Sequence, residues 1–173
     1  MTKMIWRKLL LNLILMSLFG GCGNGFKDQE NPIEINQQGQ NGEVDHATIS
    51  GQYLELINNH RIKLGLKPLT NESYIEKEAK EHTKSMAKRA RRFGHFGLSS
   101  RCRHIGNRVA PTKKCGELVA LGPKKADTVL TSWLNSNDQR SQIENPDYTH
   151  TGLGVFKDDT GTYFWTQIFI EFK

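Results

Sequence analysis

The chain has 173 residues, of which 36% are hydrophobic and 24% charged, and a formal net charge of +6. That is enough for one domain with a real core plus an N-terminal appendage. Three of the cations, Lys3, Arg7 and Lys8, fall in residues 1–21, and removing that stretch leaves +3, a mild balance that argues against a dedicated nucleic-acid binder.

Those three cations precede a short apolar run, Leu9–Phe19, broken only by Asn12 and Ser17. A basic n-region before a short apolar h-region reads as a secretory signal, too short for a comfortable membrane span. It ends in "SLFGGCGNG". A cysteine there resembles a bacterial lipoprotein signal, in which Cys22 becomes the lipid-bearing first residue. Phe19 stands where the usual pattern has Leu, and such a relaxed box resembles those of spirochaete lipoproteins. The alternative is an ordinary cleaved signal with a free Cys22. Residues 22–45 are rich in Gly, Asn and Gln and cannot bury enough surface to order themselves, so they read as a flexible tether. The expectation is an exported chain, lipid-anchored to the cell envelope at the outer-membrane surface, with residues 1–21 as signal, 22–45 as tether and 46–173 as the domain.

With Cys22 lipidated, Cys102 and Cys115 remain. In an exported chain the expected arrangement is a disulfide between them, which at this loop length is worth about 3 kcal/mol. Two free buried thiols are the alternative.

The first predicted helix runs from Ser50 as N-cap to Leu64, with Gly65 as the stop. Tyr53, Leu56, Ile57, His60 and Leu64 recur at helical spacing. Pro68 forbids continuation. A second helix starts near Thr70 or Asn71 and ends before Gly94, with Ile75, Ala79, His82, Met86 and Ala90 as its stripe. The basic run "KSMAKRARR" (Lys84–Arg92) reads as a solvated helix end, its cations suiting the C-terminal dipole. Residues 94–113 carry Gly94, Gly97, Gly106 and Pro111 and read as a loop, with a short helix around Ser99–Arg103. "CGELVAL" is a short strand. Pro123 opens a helix with Ala126, Val129, Leu130 and Trp133 on its core face. Pro146 punctuates the next loop. Two apolar runs around Asp159-Thr160-Gly161 make a β-hairpin. Trp165, Ile168 and Ile170 cannot share one face of its last strand, so both faces are covered. The pattern is α+β, an antiparallel sheet between helices.

Five segments in order, "INNHRIKLGLKPLTNE", "HFG", "CGELVALG", "VLTSWLNSNDQRSQIENPDYTHTGLGVF" and "TYFWTQIFIEF", resemble the CAP (SCP/TAPS) superfamily in its bacterial branch, over about Ser50 to Phe172. The resemblance implies an α-β-α sandwich with a small antiparallel sheet, and a cleft with two His and two acidic residues able to hold a divalent metal. His95 matches the first histidine and Glu117 the glutamate of the family's "GEN". Gln139 stands at the bacterial second histidine, Phe164 at the eukaryotic one, and Ser136 at the second glutamate. One His and one Glu therefore remain, short of the three or four ligands zinc takes at roughly 2.0–2.3 Å. No cofactor is expected, and divalent-metal binding would be weak, with His95 and Glu117 as its candidates.

No residue is assigned a catalytic role. The chain has no "GxSxG", and a Ser or Cys nucleophile needs a base beside it. His95 with Glu117 reads as a hydrogen-bonded pair that keeps the shape of an inherited cleft. His82 reads as a satisfied helix histidine, and His46, His60, His104 and His150 as surface or cap residues. Three functions compete. The first is a surface-anchored binding module for a lipid, sterol, host or envelope partner, without nucleic acid. The second is a metal-assisted hydrolase or protease using His95 and Glu117. The third is a structural envelope protein. The stretch 97–113, with Arg101, Arg103, Arg108 and Lys113, is too polar for a simple sterol pocket and suits an anionic ligand or a solvated loop.

Overall fold

A computed structural model describes residues 45–173. The expectations for the signal, for Cys22 and for the tether up to residue 44 lie outside the described residues. No helix of the described residues is long and apolar enough to cross a membrane.

Helix α1 spans His46–Lys63, five residues longer at its start than the sequence suggested, because Asp45 rather than Ser50 caps it by accepting from the Thr48 amide. Gly65, with φ +74, follows the C-cap Leu64. The buried line of α1 is Tyr53, Ile57 and Arg61, while Leu64 is exposed. The Arg61 guanidinium donates to the carbonyls of Lys67 (2.9 Å), Ile143 (2.6 Å), Asn145 (3.0 Å) and Tyr148 (3.3 Å). Four carbonyls without a carboxylate make it a clamp on irregular backbone, and its burial lowers its pKa.

Strand β1 is Thr70–Asn71, α2 is Ser73–Ala87, α3 is Leu98–Arg108, β2 is Thr112–Gly122, α4 is Ala126–Leu134, α5 is Asn137–Ile143, β3 is His150–Lys157 and β4 is Tyr163–Phe172. The sheet order is β1-β3-β4-β2. β3, β4 and β2 are antiparallel, as expected, but β1 adds a two-residue parallel pairing on β3, so the sheet is mixed. α2 stops at Ala87, leaving Ala90 exposed and the run after Lys88 outside the helix. α3 extends the short helix expected around Ser99–Arg103 to a full eleven residues: Leu98, Arg101, Cys102 and Ile105 have helical spacing that the surrounding glycines obscured. Pro123 lies three residues ahead of α4 rather than in its first turn, and α5 is a further helix in the segment read as loop.

The chain forms an α-β-α sandwich. On one sheet face α1, α4 and α5 bury Tyr53, Ile57, Trp133 and Ile143 against Leu118, Trp165 and Phe169. On the other, Ile75 and Ala79 of α2 and Ile105 of α3 pack on Ile168 and Ile170. β4 is covered on both faces, as expected.

Cross-strand register fixes what meets α2. Gly152, Ile168 and Glu117 form one row across β3, β4 and β2, and Gly154, Thr166 and Val119 form the next on that face. A Cβ on Gly152 would collide with the backbone of Ile75 and Glu76, and one on Gly154 with that of Ala79 and Lys80. The two glycines therefore let α2 lie directly on the sheet. Cys102 and Cys115 are bonded, tying α3 to β2.

Gly152→Ala and Gly154→Ala are each expected to destabilise the fold by about 3 kcal/mol, at the upper end of overpacking costs because backbone must move. Gly51→Ala, in open space on α1, is expected to stabilise it by about 0.5 kcal/mol. Urea titrations that rank these three differently would contradict the close approach.

Candidate functional site

Glu117 lies on β2 with its side chain fully buried. Strand alternation aims it at the α2–α3 side, since its neighbour Gly116 faces Gln142 and Tyr148 on the other. A buried carboxylate is tolerated only when it is paired. Two side chains pair with it directly. His95 Nδ1 is 2.9 Å from Oε1. Arg101 places Nε at 2.9 Å and Nη2 at 2.6 Å from Oε2. The remaining Arg101 nitrogen, Nη1, donates to the Phe96 carbonyl at 2.9 Å, which holds the loop carrying His95.

His82 completes the cluster. Its side chain is buried, with Nε2 at 2.8 Å from the Gly94 carbonyl and 3.8 Å from Glu117 Oε1. With Nε2–H donating to Gly94, Nδ1 is left as an acceptor without a partner. Burial first, then the Arg101 cation, lowers the pKa of the ring from its usual 6.5, so it is held neutral.

The His95–Glu117 bond agrees with the sequence reading. Gln139 is not brought to it: it lies half-buried on α5, which packs on the opposite sheet face, and makes no side-chain hydrogen bond among the described residues. Phe164 sits further along β4, paired with Leu121 and resting against Phe93. Arg101 and His82 were the residues missed. Arg101 carried one legible signal: it precedes a cysteine whose partner, Cys115, lies two positions before Glu117 on the same strand face.

The donor set does not suit the divalent metal that the resemblance implies. The guanidinium covers Oε2 and His95 Nδ1 engages Oε1, so the open donors are two ring nitrogens, His95 Nε2 and His82 Nδ1, fewer than the three or four ligands zinc takes. His82, His95 and Glu117 converge, but among the described residues no three His, Cys, Asp or Glu side chains are arranged to hold a metal ion. The site is an internal ion-pair cluster in which Arg101 supplies the cation. A groove of about 370 Å³ lies beside it, lined among others by Glu78, Glu81, Arg91, Phe96 and His104.

Two outcomes are expected. Arg101→Met should cost about 3–5 kcal/mol, because it strands a buried charge, and adding Glu117→Leu should recover much of the loss. Acid should also weaken the fold. His82 and His46 both have depressed values, mainly by burial, so the unfolded chain binds more protons than the folded one. Their contribution is present above pH 6.5 and is lost as pH falls below it. Denaturation midpoints measured at about pH 7.5 and about pH 5.5 should differ, and His82→Gln should shrink the difference.

The CAP family, described as the cysteine-rich secretory protein family, matches residues 54–169. YkwD of Bacillus subtilis is 34% identical over 131 residues, 68% of this chain and 45% of YkwD. The chain thus spans less than half the length of the curated relatives it matches. Among solved structures, an outer surface protein from Borrelia burgdorferi has the same fold, with a TM-score of 0.68 at 23% identity over 76% of this chain and 99% of that one. An extracellular SCP-domain protein from Bacillus anthracis gives 0.62 at 25% identity, over 72% of this chain and 41% of that one. The family match over these residues, on a sandwich that buries the "GEL" glutamate beside the "HFG" histidine, makes this chain a member of the CAP superfamily.

Proposed function

We propose that the chain is an exported, envelope-anchored CAP binding module whose His95–Glu117 pair holds the cleft together instead of performing hydrolysis. One observation carries this reading. Both oxygens of the Glu117 carboxylate are engaged, by Arg101 and His95, so the group is a poor general base and a poor metal ligand. Cys102 and Cys115 are bonded to each other and offer no nucleophile. The leader pattern before Cys22 and kinship with an extracellular SCP-domain protein support export. The ligand class would be a lipid, a sterol, or a host or envelope protein.

The test has two arms. Cells expressing the chain are labelled with radioactive palmitate; label is expected in the native chain and absent in Cys22→Ser. The purified protein and His95→Ala are screened in parallel against peptide and ester substrates with added Zn²⁺, and against sterols and fatty acids by thermal shift. Turnover that His95→Ala abolishes would overturn the module reading in favour of the hydrolase. Ligand shifts that survive in His95→Ala would support it.

A further inference from the structure

The net charge conceals a strong asymmetry. From His82 to Gly116 the chain has ten Lys and Arg and not one Asp or Glu, while the other described residues carry ten Lys and Arg against fourteen Asp and Glu. The fold gathers this acid-free stretch: α3 packs on both α2 and β2, so the end of α2, the loop 88–97, α3 and the start of β2 adjoin. Arg101, Lys113 and Lys114 are paired with Glu117, Glu171 and Asp147. Lys84, Lys88, Arg89, Arg91, Arg92, Arg103 and Arg108 are exposed, and none forms an ion pair among the described residues.

Only the first half of the run, Lys84–Ala87 with Lys88 as cap, is the helix end that its sequence suggested. α2 stops at Ala87, and Arg89, at φ +56, turns the chain away from the helix path. Two phenylalanines stand in the segment that follows: Phe96 is 67% exposed and Phe93 46%. Arg91 lies over the Phe96 ring, 4.7 Å from its centroid, and Phe93 rests edge-on against Phe164 at 6.4 Å. Both rings are thus positioned by contacts yet remain in water.

We propose that this face docks on an anionic phospholipid bilayer. The Lys88–Arg92 run, with Arg103 and Arg108, meets the headgroups, and Phe96 and Phe93 enter the boundary between headgroups and acyl chains. Unpaired cations alone would suit any polyanion. Exposed apolar rings among them favour a bilayer, which rewards both features, over a sulfated glycan, which rewards only the charges. Base stacking is disfavoured because Arg91 already covers a face of Phe96. The net negative remainder of the domain is repelled from the same surface, which orients the docking. The contact does not depend on a lipid at Cys22.

The test uses the full chain with Cys22→Ser, so that no lipid is attached and the leader is common to all samples. Sedimentation is measured with phosphatidylcholine vesicles with and without phosphatidylglycerol, and retention on heparin serves as the polyanion control. Phosphatidylglycerol is expected to raise vesicle binding by about tenfold or more, and the triple change Arg89→Gln, Arg91→Gln, Arg92→Gln to remove that gain. Phe96→Ser should weaken vesicle binding severalfold while eluting from heparin at unchanged salt. Equal binding to both vesicle types, or a triple variant that binds like the parent, would overturn the proposal. Heparin retention lost in the triple variant without phosphatidylglycerol-dependent sedimentation would overturn it in favour of a glycan.

Discussion

The constraint on which this domain is organised is the burial of one carboxylate. Glu117 has no exposed side-chain surface, and leaving its charge unpaired at that depth would cost about 3–5 kcal/mol, a large share of an ordinary domain's stability. Arg101 and His95 meet it from different elements. Each is held by a further contact: Arg101 by the bridged Cys102 beside it, His95 by the loop that Arg101 and His82 grip through the carbonyls of Phe96 and Gly94. The 13-residue separation of the bridge makes α3 and the start of β2 one unit around the ion pair. The cleft is therefore part of what holds this end of the fold together.

The approach of α2 to the sheet is set by a steric constraint. Gly152 and Gly154 let the helix backbone rest on β3, and the register places Gly152 in the row of Glu117. A helix laid that close delivers His82 to the carboxylate one turn after Ala79. Across the sheet, Arg61 does comparable work without a counter-charge, satisfying carbonyls where α5 gives way to β3. Two buried guanidiniums thus stabilise irregular backbone on the two sides of the sandwich, by different pairing.

The cleft and the basic face are physically joined. Arg91 and Phe96 line the groove beside Arg101, and they also stand on the exposed basic segment. Whatever meets that segment comes within reach of His95, whose ring is about half exposed. The loop from Lys88 to Gly97 couples a rigid internal cluster to a solvent-facing surface, and in this chain the surface carries the chemistry that could recognise a partner.

Much of the architecture was legible in the sequence. Alternation and the Asp159-Thr160-Gly161 turn marked the hairpin, and helical spacing marked α1, α2 and α4, because apolar periodicity is a local property. The pairing of Cys102 with Cys115 and of His95 with Glu117 could be read from compartment, spacing and resemblance. Other features were decided only by tertiary structure. Arg61 and Arg101 look like surface cations in sequence, since burying a guanidinium becomes favourable only when distant carbonyls or a carboxylate converge on it. Gln139 sits at a family position, yet packing puts α5 on the other sheet face. The end of α2 at Ala87 turned a helix terminus into an exposed basic loop, a change that charge pattern alone could not reveal. Sequence determined which segments are amphipathic and which residues can ionise. The fold decided which of those charges are buried and matched and which remain free, because pairing depends on the convergence of groups far apart in the chain.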